Sequence, residues 1–298
     1  MKLIYKTILG FLKSIDKFFD QYMNEKGLIL KAGNTDFVLK KPEKCRILFL
    51  VFLILSGIST ISAQNEMFLK REFISQSDTL RYRILFPENY DLKKTYPLVI
   101  FLHGSGERGA DNEKQLKHGA VLFTDKENRA KYPSIVLFPQ CREKEYWAPI
   151  VTRENGFGYP LKSEATEPMQ LLIRLIAEIR KNEAVDQKRI YIMGLSMGGM
   201  GTFDLICRKP GIFAAAIPIC GGVNIDRLNK VKDMPVRIYH GADDPVVSPA
   251  HSVDAYNKLK TIGSKQAELI IYPGVGHNSW TNAFAADDFM SWIYKQHK

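Results

Sequence analysis

Cysteine is scarce in this chain, four residues among 298, and no C-x-x-C pair occurs. That excludes a disulfide-dense scaffold and a zinc-ribbon kind of metal site. Histidine is nearly as rare: there are six, no two at the spacing that puts both on one helical face. No metal is therefore expected, and the chemistry that the motifs below point to requires no organic cofactor. The chain also lacks an uninterrupted apolar run of about 20 residues, the length a helix needs to span a bilayer. Internal repeats, low-complexity tracts and Pro/Ser linkers are missing too, so nothing divides the body of the chain into separate domains.

Basic residues are in excess, with a formal net charge of +10, yet a concentrated basic stripe is lacking. Residues 1–46 hold 10 Lys and Arg against 5 Asp and Glu, which is half of the excess. The other half is dispersed over the remaining residues without interleaved aromatics, so no nucleic-acid partner is expected. The leader reads better as a membrane address. Lys40, Lys41, Lys44 and Arg46 precede an apolar run from Ile47 to Leu55, and small and polar residues then lead to Ala63. Charged n-region, apolar core and small residue before the cut are the layout of a secretory signal. Cleavage would leave Gln64 first and export the body, secreted or into a periplasm. The alternative is a membrane anchor over residues 47–63, since no charge occurs between Ile47 and Asn65. Cys45 precedes the apolar run and so is not placed for lipid attachment. Residues 1–46 form a basic extension, amphipathic and helical in pattern at its start, on which no function is built. The odd number of later cysteines, Cys141, Cys207 and Cys220, excludes complete pairing within an exported chain. Buried thiols are expected, with a Cys207–Cys220 bridge as the alternative.

From Met67 onward apolar runs alternate with helical patterns. MFLKREFIS and TLRYRILF alternate faces as antiparallel strands do. YPLVIFLHG and SIVLFPQ are continuous apolar runs, as in strands covered on both sides. Met169, Leu172, Ile173, Ile176 and Ile179 fall along one helical face. Three more strand-like runs follow RIYIMG, and helical patterns accompany the last two, in VDAYNKLKTIG and FAADDFMSWIYKQ. This order predicts one α/β domain over residues 64–298, a mostly parallel sheet with antiparallel N-terminal strands and helices on both faces.

Within it, YIMGLSMGGMG sets Ser196 between a strand and a helix, where a nucleophile elbow would stand. Gly194 and Gly198 flank the turn where side chains would collide. Phosphate binding is the rival use of such glycines, but no Gly-Lys-Ser/Thr follows, and Asp204 occupies the position of a third spaced glycine. A serine hydroxyl needs a base. His277 in YPGVGHNSW follows the strand AELIIY and is the best placed histidine; His240 ends a strand and reads as structural. The acid is sought in YHGADDPVV, where Asp243 and Asp244 are both candidates and Asp244, next to Pro245, is preferred. Ser196, Asp244 and His277 each follow a strand of their own, in the chain order of one version of the triad.

With FLHGSGERG at Phe101, PQC at Pro139 and a downstream YW, GLSMGG at Gly194, HGADDPVV at His240 and GVGHNSW at Gly274, the chain resembles the α/β-hydrolase superfamily. It is most similar there to carboxylesterase/phospholipase-like and dienelactone-hydrolase-like serine esterases, from about Met67 to the C-terminus. The resemblance implies Asp244 as the triad acid, and the backbone N–H groups of Ser105 and Met197 as the oxyanion hole. It implies a serine carboxylesterase for small acyl or aromatic esters, with polysaccharide-linked esters suited to an exported enzyme. Alternatives are a serine peptidase on short peptides, for which the propeller domain of true oligopeptidases has no counterpart here, and a non-catalytic binding relative. Glu107 and Arg108 are expected to pair and fix the oxyanion loop, or to line the pocket. Trp147 and Trp280 are candidates for the substrate wall. Loops at Gly106–Lys131 and Glu143–Glu167 are left to shape specificity.

Overall fold

A computed structural model describes residues 28–32, 35–39, 66–75, 78–153 and 156–298. The expected signal region, the amphipathic start and Cys45 lie outside the described residues. The chain divides into two compact units, Met1–Ala63 and Gln64–Lys298. In the first, β1 (Leu28–Ala32) pairs antiparallel with β2 (Thr35–Leu39), Leu28 opposite Leu39.

The second unit is built on an eight-stranded sheet. Its strands are β3 (Leu69–Ser75), β4 (Asp78–Leu85), β5 (Tyr96–Leu102), β6 (Ile135–Gln140), β9 (Val185–Leu195), β10 (Ala215–Ile219), β11 (Val236–Gly241) and β12 (Ala267–Tyr272). Two short strands, β7 (Val151–Arg153) and β8 (Gly156–Gly158), form a separate hairpin. The sheet order is β12-β11-β10-β9-β5-β6-β4-β3. From β12 to β6 the strands are parallel, and β4 and β3 are antiparallel to their neighbours.

Continuous apolar strands are explained by what lies on each side. In β5, Leu98, Ile100 and Leu102 enter one core while Val99 and Phe101 enter the other. β9 repeats this, with Ile190 and Ile192 on one side and Tyr191, Met193 and Leu195 on the other. A strand has a side-chain period of two, so full burial on both faces demands an apolar residue at every position. The first core is covered by α3 (Glu167–Asn182), α4 (Met197–Arg208) and α5 (Ala250–Thr261). The second is covered by α1 (Val121–Thr124), α6 (Trp280–Phe284) and α7 (Phe289–Tyr294); α2 (Lys126–Lys131) follows α1 and has no buried residue. Helix α3 starts with Pro168 in its first turn, where the missing N–H costs nothing.

One expectation here needs correction. The final helical pattern is broken between Phe284 and Phe289, which a continuous helix would point about 140° apart. The break lets both rings pack together, 5.4 Å apart, on the same core, and Asp288 beside it bonds Arg237 on β11 at 2.7 Å. The thiols are buried and free as expected, and the alternative Cys207–Cys220 bridge is not formed: Cys207 lies in the first core and Cys220 in the second, on opposite sides of the sheet. Cys141 is likewise free and buried. Among the described residues no helix is long and apolar enough to cross a membrane.

Strand progression reverses between β5 and β9: the chain runs from β5 to β6 in one direction, and from β9 to β12 in the other. At such a switch point the loops leaving adjacent strands part and open a crevice beyond the strand ends.

Candidate active site

Two segments leave the sheet at that crevice, the loop after β5 and the turn after β9, with Leu102 paired to Gly194. Ser196 sits at φ 54° and ψ −119°, outside the regions that L-residues favour. A Cβ at Gly198 would collide with the carbonyl oxygen of Leu102, and one at Gly194 with that of Gly198. The two glycines therefore let the first turn of α4 press against β5. The serine is left at the apex of a strained turn, 9% exposed.

His277, in the loop after β12, brings Nε2 to 2.8 Å from Ser196 Oγ. Its Nδ1 lies 2.7 Å from Asp244 Oδ2. The Asp244 side chain is wholly buried, whereas neighbouring Asp243 is exposed. Burial alone would raise the Asp244 carboxyl. Hydrogen bonds from His240, His277 and the N–H groups of Val247 and Val246 outweigh it and hold the group well below the usual carboxylate range. At neutral pH this aspartate is an anion, so Nδ1 of His277 donates to it and Nε2 is left to accept from the serine.

The loop after β5 is held by a histidine that makes no hydrogen bond to the serine. His103 is buried, and burial lowers its pKa to about 4. Its Nε2 accepts from the N–H of Cys141 at 2.9 Å, so Nδ1 carries the proton and donates to the carbonyl of Gly104 at 2.6 Å. Fixing that carbonyl fixes the peptide plane it shares with the N–H of Ser105. Met197 opens α4, so its N–H has no acceptor within the helix.

Glu107 and Arg108 do not pair. Arg108 donates to the carbonyls of Ser105 (2.9 Å) and Glu145 (3.3 Å), and its guanidinium stands over the Tyr146 ring. Glu107 turns inward, is buried, and faces Lys117 and His118 at 3.8 and 3.7 Å. The two adjacent side chains point to opposite sides of a short 3-10 turn, Ser105–Glu107.

Trp280 is partly exposed and meets the His277 ring edge-on, centroids 5.6 Å apart. Trp147 is entirely buried, its indole N–H donating to the carbonyl of His103. It lies against Gly201, where any Cβ would strike it, and offers no surface to a substrate. A small apolar cluster, Ala148, Met200 and Val247 with Ile150, Phe157 and Tyr159 against it, joins the helix after Ser196, the loop after Asp244 and the β7–β8 hairpin. Cys220, Asp244 and His277 bring one donor atom each within 4.8 Å of one another. Asp244 Oδ2, however, already receives two histidine nitrogens, and burial pushes the Cys220 thiol up to about 12. Such a set suits hydrogen bonding better than a cation.

Sequence reasoning set His240 aside as structural and passed over His103. Both end buried strands and precede glycine, HG in each case. That shared dipeptide was the available signal.

The model of the phospholipase/carboxylesterase family matches residues 90–295. A probable feruloyl esterase C of Aspergillus oryzae is 23% identical over 238 residues, covering 78% of this chain and 82% of its own. The crystal structure of a thermostable esterase superposes with a TM-score of 0.73 at 34% identity, over 79% of this chain and 64% of that one. A ferulic acid esterase from Anaeromyces mucronatus, in complex with ferulic acid, shares the fold at a TM-score of 0.55 and 15% identity, over 77% of this chain and 90% of its own.

Proposed function

The chain belongs to the phospholipase/carboxylesterase family of α/β-hydrolases, and from that footing we propose that it is a serine carboxylesterase working through an acyl-enzyme on Ser196. The observation that carries the proposal is the unbroken hydrogen-bond line from Ser196 Oγ through His277 to Asp244, at 2.8 and 2.7 Å. In this reading His277 Nε2 takes the serine proton as Oγ attacks the ester carbonyl, and the Asp244 anion stabilises the imidazolium that results. The oxyanion rests on the N–H groups of Ser105 and Met197, where the loss of one donor costs about 3–4 kcal/mol in chemistry of this kind. His277 then protonates the departing alkoxide, and water repeats the attack to release the acid.

The acyl group we assign is small or aromatic, and esters of aromatic acids carried on polysaccharides fit an exported enzyme. Two features support this: the apolar cluster around Met200 and Val247, and the feruloyl esterase named among the relatives. Export itself rests on the leader pattern in residues 40–63. A fluorophosphonate probe should label Ser196, located by peptide mapping, and an aryl ester should be turned over far faster than the matching peptide amide. Labelling elsewhere would remove the nucleophile assignment, and preferred amide cleavage would make the protein a peptidase.

A further inference from the structure

The Asp244 carboxylate serves two histidines. Oδ1 accepts the N–H groups of Val246 and Val247, at 2.8 and 3.0 Å. Oδ2 lies 2.7 Å from His277 Nδ1 and 3.1 Å from His240 Nε2. Four donors thus meet the four lone-pair directions of one buried carboxylate. His240 is entirely buried at the end of β11, and its Nε2 also lies 2.9 Å from the carbonyl of Val247. Both neighbours of Nε2 are acceptors only, so this nitrogen must carry a proton. On the other side of the ring, Nδ1 is 2.6 Å from Ser252 Oγ on α5, and Ser252 is wholly buried too. A serine hydroxyl donating to Nδ1 completes a neutral imidazole with every polar atom satisfied.

We propose that His240, its tautomer set by Ser252, is a positioning residue for the proposed triad: its N–H aims Asp244 Oδ2 at His277 and draws off part of the carboxylate's charge. This rests on the reading of Ser196, Asp244 and His277 as a triad. A space-filling role would be met by an apolar ring, and would leave one Oδ2 lone pair buried without a donor. The donated N–H has a consequence that packing does not. A carboxylate with fewer donors attracts an imidazolium more strongly, so losing the His240 bond raises the affinity of His277 for its proton. Around His277 and Asp244 the other titratable groups are the exposed Asp243, Cys220 at the end of β10, and Glu107, Lys117 and His118 beyond Trp280. None of these hydrogen-bonds to the His240 ring, whose partners are Ser252, Asp244 and the carbonyl of Val247.

The test is the pH dependence of kcat/KM on nitrophenyl acetate, normalised to the sites titrated by a fluorophosphonate. His240→Leu removes the donor, His240→Gln keeps an N–H near the Nε2 position, and Ser252→Ala releases the tautomer while leaving the ring in place. The acidic limb, where His277 protonates, should move up by about half a pH unit or more in His240→Leu, with kcat per titrated site about tenfold lower. Ser252→Ala should move it the same way by less, and His240→Gln should hold it near the wild-type position. Unchanged limbs and unchanged kcat per site in His240→Leu and Ser252→Ala overturn the proposal. If His240→Leu does not fold, Ser252→Ala alone decides in the same terms. A His240→Gln enzyme that behaves like His240→Leu shows that the ring, not its N–H, matters, which also overturns it. Failure of the triad reading is distinguishable: the wild type itself would then neither titrate nor turn over ester, and the proposal would fall with it.

Discussion

Ser196 carries φ 54° and ψ −119°, a conformation that costs a residue with a Cβ on the order of 1–3 kcal/mol. The surrounding turn holds it there because Gly194 and Gly198 let α4 press on β5. Replacing the serine by glycine removes that cost. Ser196→Gly should therefore unfold at higher denaturant than the wild type, by about 1 kcal/mol, while losing ester hydrolysis. Equilibrium denaturation of the two proteins checks it. His103 gives a second outcome at this scale. Burial lowers its pKa from 6.5 to about 4, so between those values the unfolded chain binds more protons than the folded one. Its contribution is fully present above pH 6.5 and is lost as pH falls through about 4. Denaturation curves from pH 7 to pH 4 should show roughly 3 kcal/mol lost through this group. His103→Gln should start less stable at pH 7 and lose much less across the same window.

At the scale of elements, strands were the most legible. β5 and β6 are near-continuous apolar runs, because both faces of a parallel sheet are covered; β9 is one only from Ile190 onward, its start being polar from Asp186 to Arg189, and β11 is interrupted by Arg237 and His240. That Ser196, Asp244 and His277 come together was legible for a related reason: each stands just past a strand, so chain order nominated all three for the proposed triad. Less legible was anything set by contacts distant in sequence. His240 looks like a strand-end residue until α5 brings Ser252 to one side of its ring and the turn back through Asp244 brings a carboxylate to the other. Trp147 reads as a candidate for the substrate wall until Gly201 opens a buried slot for it. Glu107 and Arg108 are adjacent and opposite in charge, yet the 3-10 turn sends them apart. Asp204, noticed only as the residue that spoils a glycine pattern, is buried between Arg208 at 2.6 Å and Arg227 at 2.5 Å. It ties α4 to the segment Ile225–Val231. Asp204→Ala would leave two guanidinium groups without their buried partner and should cost about 3 kcal/mol. A fall in melting temperature, with fluorophosphonate labelling retained below it, is the expected measurement.

For the whole molecule, a sheet covered on both sides places the packed strands below the crevice and the connecting segments around it. Ser196, Asp244, His277 and the Ser105 loop all follow the C-terminal ends of parallel strands, so four distant stretches of sequence converge without any one of them needing to be long. The segment after β5, the β7–β8 hairpin and the start of α6 rise from the same scaffold and carry Arg108, Phe157 and Trp280. Chemistry is thus assigned to the strand ends and selectivity to the insertions between them. The most direct test of this account is turnover of a short-chain nitrophenyl ester by the wild type and by Ser196→Ala. Loss of roughly 10⁴-fold or more in kcat, with the fold intact, is the expected result. Equal hydrolysis by the two proteins would contradict it, because the strained turn would then be an elbow without a nucleophile.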